Sequence, residues 1–262
     1  MGVSSDRKFQ RAPVRTGVAF EDCDFYHTIE VPGRGATKGQ WDLRGREAGY
    51  LGKVDLAGKS VLEIGPASGH LTFWMESQGA TVTAFDLSED HKWDFVPFST
   101  LDMAGQNAAR RVHLQRLHNS WWFLREQSKG RAEVVYGTVY DIEPELGAFD
   151  VVTLNSVLLH LRDPMGALIK AASVCKETLV ITDIDASHYH RRRPWLRHDR
   201  SLSFTPRADR PGSFDAWFNI PSGVVTEMLK IMGFETTVTR HKQAFQDGVY
   251  RMYTVVGRRT GR

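Results

Sequence analysis

Long apolar runs are missing from this chain. No stretch approaches the roughly 20 consecutive apolar residues that a membrane span requires. The first residues, Met1-Gly2-Val3-Ser4-Ser5-Asp6-Arg7-Lys8, have no apolar centre of the secretory type, and Asp6 stands where a myristoylation motif has Ser or Thr. Cysteine is nearly absent. Cys23 and Cys175 are the 2 in 262 residues, too few for a disulfide framework and without metal-ligand spacing. Strong charge imbalance is missing too. The net +3 lacks the concentrated excess of a nucleic-acid-binding domain. Internal repeats are also absent. These absences point to a cytoplasmic chain with no membrane partner, and its length suffices for one large α/β domain with its own core.

What is present is an alternation of apolar strand-like runs and helical patterns. Lys59–Ile64, Ala80–Asp86, Ala132–Tyr136, Phe149–Leu154 and Thr178–Asp183 read as strands. Helices are expected over Leu71–Gln78, Asn107–Gln127, from Pro164, and over Pro221–Met232, with Gly79 and Gly233 as C-terminal caps. Phe234–Thr239 and Gly248–Val256 read as a terminal antiparallel pair. Alternation of this kind predicts a parallel sheet with right-handed crossovers. Two regions do not fit it. Residues 1 to about 22 are charged and aperiodic and read as a tail, while residues 23 to 58 carry Phe25, Tyr26, His27, Trp41 and Tyr50, a segment able to fold back as a lid or to pack on the sheet edge. Residues 186–220 show no clear element and hold seven arginines against three aspartates, a local excess above that of the whole chain.

The chain is organised around Val61-Leu62-Glu63-Ile64-Gly65-Pro66-Ala67-Ser68-Gly69-His70, a buried strand running into a glycine turn and a helix start. Such a junction lets a ligand approach bare backbone. The pattern Glu63-x-Gly65-x-x-x-Gly69 lacks the third glycine of the dinucleotide fingerprint. Glu63 at the strand end would repel a pyrophosphate but suits a cationic or amino-bearing ligand. Asp86, 21 residues after Gly65, stands at the reach of a carboxylate for ribose hydroxyls.

With Asp141 after the third strand and Asn155 after the fourth, these markers resemble the class I S-adenosylmethionine (SAM)-dependent methyltransferases over roughly residues 50 to 257. The resemblance implies a three-layer Rossmann-like seven-stranded sheet of order 3-2-1-4-5-7-6 with strand 7 antiparallel, residues 51–262 forming the SAM-binding domain and 1–50 an N-terminal tail and lid. It implies that Gly65, Pro66, Ala67 and Gly69 approach the methionine half of SAM, that Asp86 holds the ribose with Leu87 beside it, that Tyr140 and Asp141 edge the adenine, and that Asn155 and Ser156 sit near the amino-acid end, where Glu63 belongs by charge. Pro66 and Ala67 depart from the glycines frequent at these positions in the family and imply a stiffer turn. A narrower, looser resemblance links Asn155–Pro164, Trp217–Ser222, Met228-Leu229 and Gly233-Phe234 to the branch that modifies the tRNA wobble uridine.

Methyl transfer from a sulfonium is an in-line displacement, so alignment and exclusion of water matter most, and a base is required only where the acceptor must lose a proton. Candidate catalytic residues are His160, Asp183, Tyr26 and His27, with Asp185 and His188 nearby in sequence. The run His188-Tyr189-His190-Arg191-Arg192-Arg193 could bind RNA phosphates, hold a carboxylate or phosphate of a small substrate, or be a solvated surface. His188, His190 and His198 lack a carboxylate or cysteine partner for a metal, and none is expected. Trp121-Trp122 either stacks a planar ligand or packs in the core. The expected activity is methyl transfer to a small anionic or aromatic acceptor. tRNA modification is the runner-up, and cleavage or cyclisation of SAM is a third reading.

Overall fold

The computed structural model describes residues 8–189, 200–212 and 214–261. Seven long strands are numbered here along the chain: β1 Ser60–Ile64, β2 Thr81–Asp86, β3 Glu133–Tyr136, β4 Phe149–Asn155, β5 Cys175–Ile184, β6 Phe234–Phe245 and β7 Gly248–Arg259. Four longer helices are α1 His70–Ser77, α2 Met103–Ser128, α3 Pro164–Ser173 and α4 Ser222–Ile231. The strands lie side by side in the order 3-2-1-4-5-7-6, β1 to β5 parallel and β7 antiparallel to β5, as the resemblance implies. Two-residue strands extend both edges. Gln10–Arg11 pairs with β3, and Trp41–Asp42 pairs with β6.

Part of the expected tail is therefore a sheet edge. Pairing of this kind satisfies the open N–H and C=O groups of an edge strand, a backbone effect that side-chain periodicity does not register. The segment between the two pairings folds back against the carboxyl ends of the strands, where Tyr26, Trp41 and Tyr50 become wall residues.

The central strands are apolar on both faces because helices cover both. On one side Leu62, Ile64, Val152, Leu154 and Ile181 pack with Ala167, Leu168 and Ala171 of α3 and Val225 and Leu229 of α4. On the other, Val61, Val82 and Val151 pack with Leu71 and Met75 of α1 and Trp121 and Trp122 of α2. Both tryptophans are core residues, 2% exposed, and the T-shaped pair meets Phe73 through Trp121. They line neither cavity described below, which removes them as a stacking platform.

Helix starts follow local chemistry. Asp163 accepts from the Gly166 N–H at 2.8 Å ahead of Pro164, and Asp102 accepts from the Gly105 N–H at 3.0 Å. The second cap opens α2 four residues earlier than its periodicity predicts, because the first turn, Met103-Ala104-Gly105-Gln106, holds a glycine and lacks a repeating apolar face. The strands β6 and β7 run past the sheet: β7 pairs with β5 only from Met252 onward, and the remaining hairpin carries Phe245 and Tyr250. Its β6 arm is Arg240-His241-Lys242-Gln243, without apolar alternation, so the hairpin is longer than its sequence pattern suggests. Within 186–220 the structure holds a short helix, Ala186–Tyr189, and a two-residue pairing of Ser203–Phe204 with Phe218–Asn219. Residues 190–193 of the arginine run, and His198, lie outside the described residues.

Candidate active site

The turn after β1 places three left-handed residues within five: Gly65 at φ +75°, Ala67 at +48° and Gly69 at +88°. A Cβ on Gly65 would sit 2.7 Å from Cγ2 of Val157, so glycine is required there on two counts. Ala67 takes the same backbone region without glycine's freedom, a strain of about 1 kcal/mol. Gly69 closes the turn by donating its N–H to the Pro66 carbonyl at 2.9 Å and precedes the first residue of α1. It shapes the loop and lines neither cavity, whereas Gly65, Pro66 and Ala67 do.

A small enclosed cavity lies against this turn, walled by Glu63, Gly65, Pro66, Ala67, Asn155, Ser156, Tyr26, His27, Trp41, Tyr50 and Leu71. No lysine or arginine is among them. Glu63 is 1% exposed and accepts a hydrogen bond from the Thr72 hydroxyl. The indole N–H of Trp121 in turn donates to Thr72 Oγ1 at 3.2 Å. Burial pushes the Glu63 carboxyl up to about 8, with the Thr72 bond opposing it. Both side-chain polar atoms of Asn155 are buried and unpartnered. Ser156 is held in the left-handed region at φ +54°, its N–H donating to the Thr182 carbonyl at 2.7 Å and its hydroxyl 3.2 Å from Tyr50 Oη. His27 is buried, and burial and the neighbouring His70 drive its imidazole down to about 3, so it stays neutral.

A larger cavity of about 540 Å³ adjoins the first and shares Tyr26, Trp41, Gly65, Ala67, Asn155 and Ser156 with it, a size ordinary for small-molecule sites. Asp86 and Leu87, at the end of β2, line it. The Leu87 N–H donates to Asp86 Oδ1 at 2.8 Å. Burial raises the Asp86 carboxyl above its ordinary range, and His118 opposes the shift. Tyr140 lines the same cavity, donating to Asp94 Oδ2 at 2.7 Å and accepting from the Asp163 N–H at 3.2 Å. Asp141 departs from its expected place. Its carboxylate accepts from the N–H of Thr138 at 3.1 Å and from the Thr138 hydroxyl, closing a short 3₁₀ turn. Thr138 and Val139 line the wall instead.

Beyond the turn the cavity is bounded by His160, Arg110, Asp215, Ile184, Trp41, Phe245 and Tyr250. His160 ends a 3₁₀ turn, Leu158–His160, and its Nδ1–H donates to the backbone carbonyl of Asp215. That bond leaves Nε2 as the basic nitrogen. Burial holds the imidazole below its ordinary value, so the lone pair is available near neutrality. Tyr26 accepts from the Trp41 indole N–H at 3.0 Å. Trp41, Phe245 and Tyr250 form a contiguous aromatic wall with centroids 4.6 to 5.5 Å apart, and His188 stacks on Tyr250 at 4.1 Å.

The candidates therefore separate. Tyr26, His27 and His160 meet at the two cavities; Asp183 and Asp185 do not. Asp183 is 2% exposed behind the wall, accepts from the Ile184 N–H at 2.7 Å, and is pushed up to about 7 by burial. Asp185 pairs with Arg240 at 3.1 Å and accepts from the Ser187 N–H at 2.8 Å, a structural use. The sequence reading missed Arg110, Trp93, Asp215, Phe245 and Tyr250 as wall residues. Arg110 lies over the Trp93 ring at 4.5 Å and reaches Asp215 at 3.5 Å. Nothing in the polar stretch around Arg110 marks it, while the aromatic density near Trp93 was the visible signal.

Residues 43–209 match the family described as a methyltransferase domain, more than half of the chain. No curated protein is detectably similar in sequence. Among solved structures, the fold is similar to Burkholderia thailandensis 1,6-didemethyltoxoflavin-N1-methyltransferase, crystallised with 1,6-didemethyltoxoflavin and S-adenosylhomocysteine (TM-score 0.54, 15% identity, 83% of this chain and 78% of that one). It is similar also to a putative S-adenosylmethionine-dependent methyltransferase from Listeria monocytogenes (TM-score 0.53, 17% identity, 82% and 98%). The N-terminal domain of EvdMO1, crystallised with S-adenosylhomocysteine and D-fucose, is a third (TM-score 0.52, 18% identity, 92% and 93%). At these identities the structures speak for the fold, and the family match for the class of enzyme: the chain belongs to the methyltransferase domain family and is a SAM-dependent methyltransferase.

Proposed function

We propose that this enzyme transfers the methyl group of SAM to a small molecule held between the aromatic wall and His160. The observation that carries the reading is the single continuous space that runs from Asp86, past the glycine turn and Asn155, to His160, Arg110 and Trp41-Phe245-Tyr250. The residues present fit the cofactor. An acid and an unpartnered amide, with no lysine or arginine, line the small cavity and suit an amino-acid end that bears an ammonium. Asp86 suits ribose hydroxyls.

When bound, SAM supplies a methyl group activated by its sulfonium. The chain's own residues do the rest. Glu63 and Asn155 hold the amino-acid end, Asp86 the ribose, and Thr138, Val139 and Tyr140 the adenine edge. Tyr26 and Trp41 cover the reacting centre from the N-terminal segment and exclude water. His160 accepts a proton at Nε2 from an acceptor O–H or N–H as that atom becomes nucleophilic. The aromatic wall favours a flat, conjugated acceptor, and Arg110 favours one that carries negative charge. The fold neighbour named 1,6-didemethyltoxoflavin-N1-methyltransferase holds a small molecule, 1,6-didemethyltoxoflavin, which agrees with this reading.

The test is to supply methyl-labelled SAM to the enzyme with a metabolite extract and, separately, with total tRNA. Label entering the small-molecule fraction supports the proposal. Label entering tRNA alone would move the enzyme to the wobble-uridine branch, for which neither the family match nor the fold neighbours speak.

A further inference from the structure

Behind Asp86 stands a buried group that methyl transfer itself does not use. His118, on α2, is 3% exposed and lies beneath the end of β2. Its Nδ1 is 3.1 Å from Glu89 Oε1 and its Nε2 is 3.9 Å from Asp86 Oδ2, where Nε2 has no hydrogen-bond partner. Arg15, from the N-terminal segment, reaches the same Glu89 oxygen at 3.1 Å. The imidazole ring packs against Tyr136 of β3, the ring centroids 4.9 Å apart and the planes tilted by 33°. From the surface inward the side chains therefore run Arg15, Glu89, His118, Asp86.

We propose that His118, anchored by Glu89 and Arg15, is a positioning residue that keeps Asp86 ionised and aimed into the cofactor site. An imidazole between two carboxylates presents an N–H to each when protonated, so the positive charge sits directly behind the acid that must accept ribose hydroxyls. A buried carboxylate without that charge would take up a proton and lose half of its acceptor capacity. Glu89 makes the arrangement durable. Its hydrogen bond with His118 holds it down to about 2, so it remains anionic across any working pH. The titratable and charged groups that face this cluster are Asp86 at the end of β2, Glu63 of β1, Glu89 and His91 from the loop after β2, Tyr136 of β3 and Arg15. The N-terminal segment is thereby tied to cofactor affinity, although Arg15 stands two charges away from Asp86.

The inference rests on the assignment of Asp86 to the ribose, and the experiment separates the two. S-adenosylhomocysteine binding is measured by calorimetry across pH for the wild type and for Asp86→Asn, His118→Gln, Glu89→Gln and Arg15→Ala, each checked by thermal melting. His118→Gln is expected to weaken binding about tenfold near neutrality, the effect of removing an opposite charge 3.9 Å from the carboxylate, and to move the loss of affinity on acidification to higher pH. The sign follows from Asp86: without His118 its carboxyl rises further, so it is neutralised at higher pH. Glu63, which Asp86 itself pushes up, is removed from the comparison by repeating it in a Glu63→Gln background. A merely structural histidine would lower the melting temperature and leave the pH profile in place. Should His118→Gln fail to fold, His118→Asn carries the same prediction; Glu89→Gln also removes a carboxylate that itself raises Asp86 and so opposes the shift, and Arg15→Ala shifts the profile least. Sensitivity to Asp86→Asn together with an unmoved profile in the His118 variants overturns the relay alone. Insensitivity to Asp86→Asn overturns the ribose assignment and the relay with it.

Discussion

Replacing Glu63 by glutamine probes the glycine turn at its most informative residue. The carboxyl is fully buried and raised to about 8, so in the free enzyme at pH 7 about nine-tenths of the molecules hold it protonated. A ligand ammonium placed in the small cavity favours the carboxylate, and binding must then expel that proton. Each pH unit below 8 costs binding about 1.4 kcal/mol, against about 1.5–3 kcal/mol for a charged hydrogen bond. Wild-type affinity for S-adenosylhomocysteine is therefore expected to rise roughly tenfold between about pH 6 and pH 7 on account of this group, and Glu63→Gln to lack that rise. Calorimetry in buffers of different ionisation enthalpy reads the proton directly: close to one released per ligand in the wild type, and less by that amount in the variant. Equal proton release and equal affinity in both proteins would refute the placement of the amino-acid end at Glu63.

The same carboxyl sets a stability prediction with the opposite pH sense from a salt-bridged acid. Its folded value, about 8, exceeds its ordinary 4.5, so the folded state retains a proton that the unfolded chain has lost, and stability falls as pH rises from about 4.5 to 8. Free Glu63→Gln should thus melt higher than the free wild type at pH 8, by a few kcal/mol of unfolding free energy, and nearly level with it at pH 5. His160→Ala is expected to lower turnover by about 10²–10⁴-fold with little change in S-adenosylhomocysteine affinity, because Nε2 acts on the acceptor; equal losses in rate and affinity would make it structural. Asp86→Ala should weaken binding by about 1–3 kcal/mol, and unchanged calorimetric affinity would count against the ribose assignment. Gly65→Ala should cost about 2 kcal/mol or more of stability, since a methyl group meets Val157 at 2.7 Å in a left-handed backbone, and a melting curve like that of the wild type would contradict the turn geometry.

The strands and their parallel sense were legible because each central strand is a continuous apolar run between helices, a pattern that parallel burial requires, while their order came from the family resemblance. The glycine turn, Asp86 and Asn155 were legible for a related reason: each ends or directly follows such a run, so strand prediction carries them to the same edge, and His160 lies in the loop that leaves β4 there. Asp141 shows the limit. It follows β3 at the expected spacing, yet its carboxylate is taken up by its own turn through Thr138, a choice made by a few local hydrogen bonds. Asp183 shows another. It stands one residue before the end of β5, which runs on to Ile184, and alternation along the strand turns it away from the cavity while Ile184 lines it. The acceptor end was the least legible part. It is assembled from the N-terminal segment, a polar helix, a loop and the tip of a hairpin, at Trp41, Arg110, Asp215, Phe245 and Tyr250. Long-range pairing such as Trp41–Asp42 against β6 brings them together, and no local periodicity encodes it.

The most direct test of the central claim is product analysis after incubation of the enzyme with SAM and the metabolite fraction that takes label. Methyl transfer predicts S-adenosylhomocysteine in equal amount to an acceptor gaining one methyl group, and its loss in His160→Ala at preserved cofactor binding. Methylthioadenosine in place of S-adenosylhomocysteine, with no methylated acceptor, would contradict it.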